Sequence, residues 1–103
     1  MDFDIKTIPT GLRLILRGRL TFTENDCFRL MLSAVTAAHA QGGLVMLDLS
    51  GIVFIDSAGL GLLLHARDVL RGRDGAVVLA GATGQVERML ALARFGDLFD
   101  SAA

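Results

Sequence analysis

The stretch LSGIVFIDSAGLGLLLHA, residues 49–66, sets Asp56 and Ser57 between an apolar run and a leucine-rich one. Just upstream, Leu44 to Leu49 reads LVMLDL, a short apolar run broken only by Asp48, the pattern of a strand covered on both faces of a parallel sheet. Downstream, Ala58 to Arg71 carries apolar residues at helical spacing, and Ala76 to Ala80, AVVLA, is a second buried-strand run. Strand, helix and strand in that order form a crossover unit, so the two strands are expected to run parallel and to be joined right-handedly.

Toward the N-terminus, Asp2 to Ile8 and Gly11 to Arg17 read as two strands joined by the Pro9-Thr10-Gly11 turn, the second alternating Leu12, Leu14 and Leu16 against Arg13, Ile15 and Arg17. Thr21 and Thr23 each stand three residues before a carboxylate, Glu24 and Asp26, which predicts a hydroxyl cap and then a helix to about Ala40. On a helical wheel Cys27, Phe28, Met31, Ala34, Val35 and Ala38 share the core face, while Arg29, Ser33, Thr36 and Ala40 share the other, and Gly42-Gly43 ends the element. A last helix is expected from about Thr83 to Ala93, followed by Phe95-Gly96-Asp97-Leu98-Phe99, whose aromatics pack back on the body. The order strand, strand, helix, strand, helix, strand, helix describes an α/β domain with a small mixed sheet. Periodicity alone leaves open whether the helices cover one face or both.

A chain of 103 residues is large enough for one modest core and too small for two, so residues 1–103 are expected to form a single domain. Hydrophobic residues at 52% and charged residues at 20% are the composition of a compact fold rather than a disordered segment. A net charge of -1, from 10 basic and 11 acidic residues, offers no footprint for nucleic acid or an anionic membrane. The apolar stretches fall far short of the ~20 residues of a membrane span, and Met1-Asp2-Phe3-Asp4 lacks the basic start of a signal peptide. With Cys27 as the one cysteine, a cytoplasmic location is expected. His39 and His65 have no second ligand at helical spacing, so no metal and no cofactor are assigned.

Ser57 falls where a strand's loop turns into a helix, and its first expected role is to cap that helix by accepting a bond from the backbone amide of Gly59 or Leu60. Two features point beyond a cap. On the wheel Gly59, Leu62, Leu63, Ala66, Val69 and Leu70 form a complete core stripe, which leaves Leu60 and Leu64 on the opposite side with Ser57 and Gly61, and with Asp68 and Arg71 further along. An apolar patch beside an exposed hydroxyl, rimmed by charge, is the pattern of a protein interface. A phosphoryl group on Ser57 would add about -1.5 to -2 charge next to Asp56. The helix N-terminus tolerates that charge, whereas a partner docked over the leucines would not.

These residues carry a resemblance. VMLDLSGIVFIDSAGLGLLL resembles the signature of the sulfate-transporter and anti-sigma-factor antagonist (STAS) domain, in particular its small stand-alone bacterial anti-anti-sigma factors. GLRLILRGRLTF is similar to the family's second strand and turn, and GAVVLAGATGQVERMLALARFGDLF to its last strand, helix and closing segment, so nearly the whole chain is covered. The resemblance implies the STAS fold: a mixed sheet of about four to five strands with three to four helices packed mainly on one face. It also implies that Ser57 is the phosphoacceptor of a partner that is both a serine kinase and an anti-sigma factor, with a metal-dependent serine phosphatase reversing the modification. Unphosphorylated, such a protein binds that partner and releases the sigma factor. Asp56, Ala58, Gly59, Leu60, Gly61 and Leu64 then become, with Ser57, the docking surface.

Many members carry Gly-Glu-Leu-Asp after the second strand, in the region that faces the kinase. Here the residues are Gly18-Arg19-Leu20-Thr21, so Arg19 and Thr21 are expected to face the partner with altered charge. The family also includes domains of lipid-transport and stress-sensing complexes, and a non-phosphorylated scaffold subunit is the alternative reading. An enzyme is not expected: FIDSAGL is not the Gly-x-Ser-x-Gly elbow, no pattern ties a histidine to Ser57, and Gly59-Leu60-Gly61 lacks the lysine and spacing of a phosphate loop.

Overall fold

A computed structural model of the chain describes residues 1–38, 43–71, 76–97 and 99, and for Ala38 the backbone alone. Four strands, β1 (Asp2–Ile8), β2 (Gly11–Leu20), β3 (Leu44–Ile55) and β4 (Ala76–Ala80), form one sheet in the order β1-β2-β3-β4. β1 pairs antiparallel with β2, and the β2–β3 and β3–β4 pairs are parallel. Three α-helices, α1 (Asn25–Ala38), α2 (Ser57–Arg71) and α3 (Gly84–Leu92), follow β2, β3 and β4 in turn. The expected mixed α/β architecture is therefore present, and the parallel neighbours anticipated from LVMLDL and AVVLA pair from Leu44↔Ala76 to Asp48↔Ala80.

The alternation in β2 orients the sheet. Leu12, Leu14 and Leu16 are buried, and they join Val45, Leu47, Leu49 and Val77 with Phe28, Met31 and Val35 of α1 and Leu62, Leu63, Ala66 and Leu70 of α2 in one core. α3 adds Val86, and Phe95 stacks on Phe99 with centroids 5.4 Å apart to close that end, as the aromatic residues there predicted. The other sheet face carries charge in register, with Lys6 opposite Arg13 and Asp4 opposite Ile15, next to Asp48. The helix side chains of that core all pack on the leucine face. Asp48, the polar exception in LVMLDL, is only 4% exposed. Arg13 donates to its Oδ2, while the amide and hydroxyl of Ser50 donate to its Oδ1 at 2.9 and 2.7 Å. Burial pushes its carboxyl up, but the bonds from Arg13 and Ser50 and the Arg13 charge outweigh that and hold it below the usual range.

Several boundaries depart from the sequence reading. β3 does not stop at Leu49 but runs to Ile55, and β2 continues past Arg17 to Leu20, because register shifts between Ile15 and Arg17 and between Gly18 and Arg19 let the two strands stay paired through Ser50-Gly51. Among the described residues Thr21 and Thr23 cap nothing with their hydroxyls: these lie 3.0 Å from each other, and a 3-10 turn at Phe22–Glu24 precedes α1. On α1 it is Leu32 that is buried and Ala34 that is exposed, since the helix also packs sideways on α2. The expected end of α1 at Ala40 and its Gly42 terminator lie outside the described residues. Thr83 stands just before α3 rather than in it.

One glycine fixes the approach of the strands. A Cβ on Gly11 would stand 1.9 Å from the carbonyl oxygen of Leu44, so the start of β2 lies against the start of β3 only without a side chain there.

Candidate functional site

Where β2 and β3 end at their carboxyl termini, the chain leaves β3 at Ile55 and turns directly into α2 at Ser57. Asp56 is the single residue between them. Its Oδ1 accepts from the amide of Gly59 at 2.7 Å, its carbonyl accepts from Leu60 at 3.0 Å, and so Asp56 is the N-cap of α2. Its Oδ2 accepts from the amide of Phe22 at 3.3 Å, and its own amide donates to the Leu20 carbonyl at 3.3 Å. One carboxylate thus ties the start of α2 to the turn that follows β2.

This corrects the capping role expected of Ser57. Asp56 and Ser57 both have side chains that cap helices, and the chain leaves β3 one residue earlier than a serine cap requires. Ser57 is instead the first helical residue, exposed, and among the described residues its hydroxyl has no hydrogen-bond partner. The oxygen is therefore open to chemistry, at the positive end of a 15-residue helix, without any helix bond being broken to reach it.

Around it, the structure places the expected site residues unevenly. Ala58 and Gly61 are exposed, and a Cβ on Gly61 would meet nothing within 4 Å. Gly59 faces inward: a Cβ there would lie 2.1 Å from the Leu20 carbonyl oxygen and 2.7 Å from Ile55 Cγ1, so α2 seats on the end of β2 through this residue. Leu60 and Leu64 do not stand fully on the opposite side of α2. Both are half-buried and pack against the core, because the helix lies deep enough in the sheet to cover their inner edges, and each offers only an outer edge to a partner. Val69, assigned to the core stripe, is likewise half-buried, lining a shallow groove between α1 and α2 with Arg29, Leu32 and His65. Arg19 is exposed with its guanidinium 4.6 Å over the Phe54 ring, and Thr21 is half-buried beside the Phe22 turn.

Three residues at this end escaped the sequence reading. Phe22 and Val53, each 71% exposed, are large apolar side chains with no core to fill; Phe22 stands between two threonines, and Val53 lies inside the apolar run Ile52 to Ile55, where nothing marks it as exposed. Gln85 of α3 accepts from the Ile55 amide at 3.0 Å and donates to the Ile55 carbonyl at 2.8 Å, standing in for a strand where β4 has already ended. Nothing in its local sequence announces that. Among the described residues no group of three or more His, Cys, Asp and Glu could hold a metal ion, and no helix is long and apolar enough to cross a membrane.

The fold and the site together define an α/β domain whose exposed feature is a serine-bearing helix N-terminus beside two strand ends. A family model described as Mlab, STAS domain, matches residues 5–100, and the chain belongs to the STAS domain family. A STAS-domain containing protein of Pseudomonas aeruginosa (strain UCBPP-PA14) is 30% identical over 88 residues, 85% of this chain and 84% of that protein. Among solved structures, an anti-sigma factor antagonist from Mycobacterium paratuberculosis has a TM-score of 0.76 at 18% identity, covering 95% of this chain and 81% of that one. The Bacillus cell fate determinant SpoIIAA in its phosphorylated form has a TM-score of 0.68 at 18% identity, covering 99% and 92%. At such identities these structures establish the shared STAS fold.

Proposed function

We propose that the protein is an anti-sigma factor antagonist that switches partners through Ser57. Unphosphorylated, its Ser57 face docks on a serine-kinase anti-sigma factor and frees the sigma factor, and phosphorylation of Ser57 by that kinase ends the binding until a serine phosphatase restores it. The observation that carries this reading is the unshared, exposed hydroxyl of Ser57 next to an aspartate that already caps the helix. A phosphoryl group there adds about two negative charges without removing any bond that holds α2. The fold persists while the docking surface changes sign, which is what a switch of binding requires. Asp56, Ala58, Gly59, Leu60, Gly61 and Leu64 shape that surface, and Arg19 and Thr21 border it. In this reading the protein is a kinase substrate and a binding partner in the cytoplasm, not an enzyme, and it takes no cofactor. Structural likeness to antagonists such as SpoIIAA, solved in both phosphorylation states, supports the assignment.

One observation favours a second reading, a non-phosphorylated scaffold subunit of another regulatory or lipid-transport assembly: Arg19 lies where many members are acidic. Binding of purified serine-kinase anti-sigma factors from the same genome to wild type, Ser57→Ala and Ser57→Asp separates the two. The switch predicts binding by wild type and Ser57→Ala and loss with Ser57→Asp; equal binding by all three supports the scaffold.

A further inference from the structure

We infer that the partner presents a carboxylate that seats on Arg19, making the ends of β2 and β3 a second anchor of the docking surface; this rests on the docking role proposed above. Arg19 and Phe54 are register partners on adjacent parallel strands, and the guanidinium lies 4.6 Å over the phenyl ring. Stacking holds the side chain in one orientation, so less freedom is lost when a ligand takes its donors. Those donors are unspent. Arg13 and Arg17, on the same strand, pair with Asp48 and Asp4, whereas among the described residues Arg19 has no carboxylate partner. The nearby Asp56 directs its oxygens to the amides of Gly59 and Phe22 instead.

Two large apolar side chains close to the Arg19–Phe54 pair in the chain are left to solvent. Val53 precedes Phe54 and Phe22 follows Arg19 by three positions, and both are 71% exposed. The Phe22 amide is tied to the Asp56 carboxylate, so this apolar group moves with the loop that carries Ser57. An arginine stacked on an aromatic ring, with exposed apolar residues within three positions of the pair, matches the composition of binding hot spots. Its planar fork of donors fits a carboxylate in two-point contact and repels a basic partner residue. An acidic group arriving at Arg19 would also feel the phosphoryl charge at Ser57 as repulsion, which gives the switch its direction.

The test is titration calorimetry with the purified, nucleotide-bound serine-kinase anti-sigma factors of the same genome against wild type, Arg19→Ala, Arg19→Lys, Arg19→Glu and Ser57→Asp. The expected result is a loss of about ten-fold or more in affinity for Arg19→Ala. Arg19→Glu should lose more and Arg19→Lys less, and reversing one partner carboxylate to arginine should restore binding to Arg19→Glu. Arg19→Glu binding as tightly as wild type, while Ser57→Asp binds nothing, overturns the carboxylate seat and leaves the Ser57 switch standing. Binding of wild type to none of the kinases overturns both.

Discussion

The Asp56 carboxylate accepts the amide proton of Gly59 at 2.7 Å, so the residue before the exposed serine, not the serine, satisfies the first turn of α2. Removing that cap with Asp56→Ala should lower stability by about 1 kcal/mol, within the ~0.5–2 of helix caps. Asp56→Asn should lose much less. Ser57→Ala should stay within about 0.5 kcal/mol of wild type, as for a surface change that breaks no bond. Urea unfolding of the three variants measures this directly, and a large loss in Ser57→Ala would return the capping role to the serine.

Gly59 and Gly61, two positions apart on α2, should respond to alanine with opposite sign. At Gly59 the new methyl would press on the Leu20 carbonyl oxygen at 2.1 Å, and the helix or strand must move. A cost of roughly 1–3 kcal/mol is expected, as for overpacking. At Gly61 the space is open, and alanine should stabilise by up to about 1 kcal/mol through helix propensity, less near the first turn. Thermal melts of both variants check the pair.

Gln85→Ala should uncover the end of β3. The side-chain amide satisfies both backbone groups of the buried Ile55, and losing it should cost on the order of 1–3 kcal/mol. Hydrogen exchange at the Ile55 amide should accelerate. Unchanged exchange would mean that water replaces the side chain without loss.

Asp48 makes stability depend on pH. Its carboxyl is held below the usual range, so the unfolded chain binds its proton more readily than the folded one. The stability contributed by the charged form is present above the unfolded pKa of about 4 and is lost as pH falls through the lower folded value. The stability difference between wild type and Asp48→Asn should therefore be largest near neutrality and shrink below about pH 4. A difference that is flat with pH would contradict the Arg13–Asp48–Ser50 arrangement.

What the sequence made legible followed from periodicity. The leucines of β2, Val45, Leu47 and Leu49 of β3 and the stripe Leu62, Leu63, Ala66 and Leu70 are buried as read, because alternation and helical spacing report burial directly, whereas Leu44 and Met46, expected to be covered on the other face of β3, are only half-buried. The less legible parts depend on partners distant in the chain. β3 passes through Ser50-Gly51, a pair that reads as a strand end, because β2 shifts register to follow it. The choice of Asp56 over Ser57 as cap rests on where β3 releases the chain, and Leu60 and Leu64 are half-buried through the depth at which α2 seats on Gly59. Arg13 finds Asp48 across 35 positions and Gln85 finds Ile55 across 30, and no local pattern carries either pairing. At the site, the motif located Ser57 and its neighbours, whereas the apolar pair Phe22 and Val53 came into view only once the strand ends were aligned.

The switch stands or falls on Ser57 as a phosphoacceptor. The most direct measurement is mass spectrometry of the protein purified from its own cells across growth and stress conditions, with and without Ser57→Ala. A single phosphoryl group on the Ser57 peptide, absent from the variant, is the expected result. Unmodified protein under every condition, or a phosphate that persists in Ser57→Ala, would contradict it.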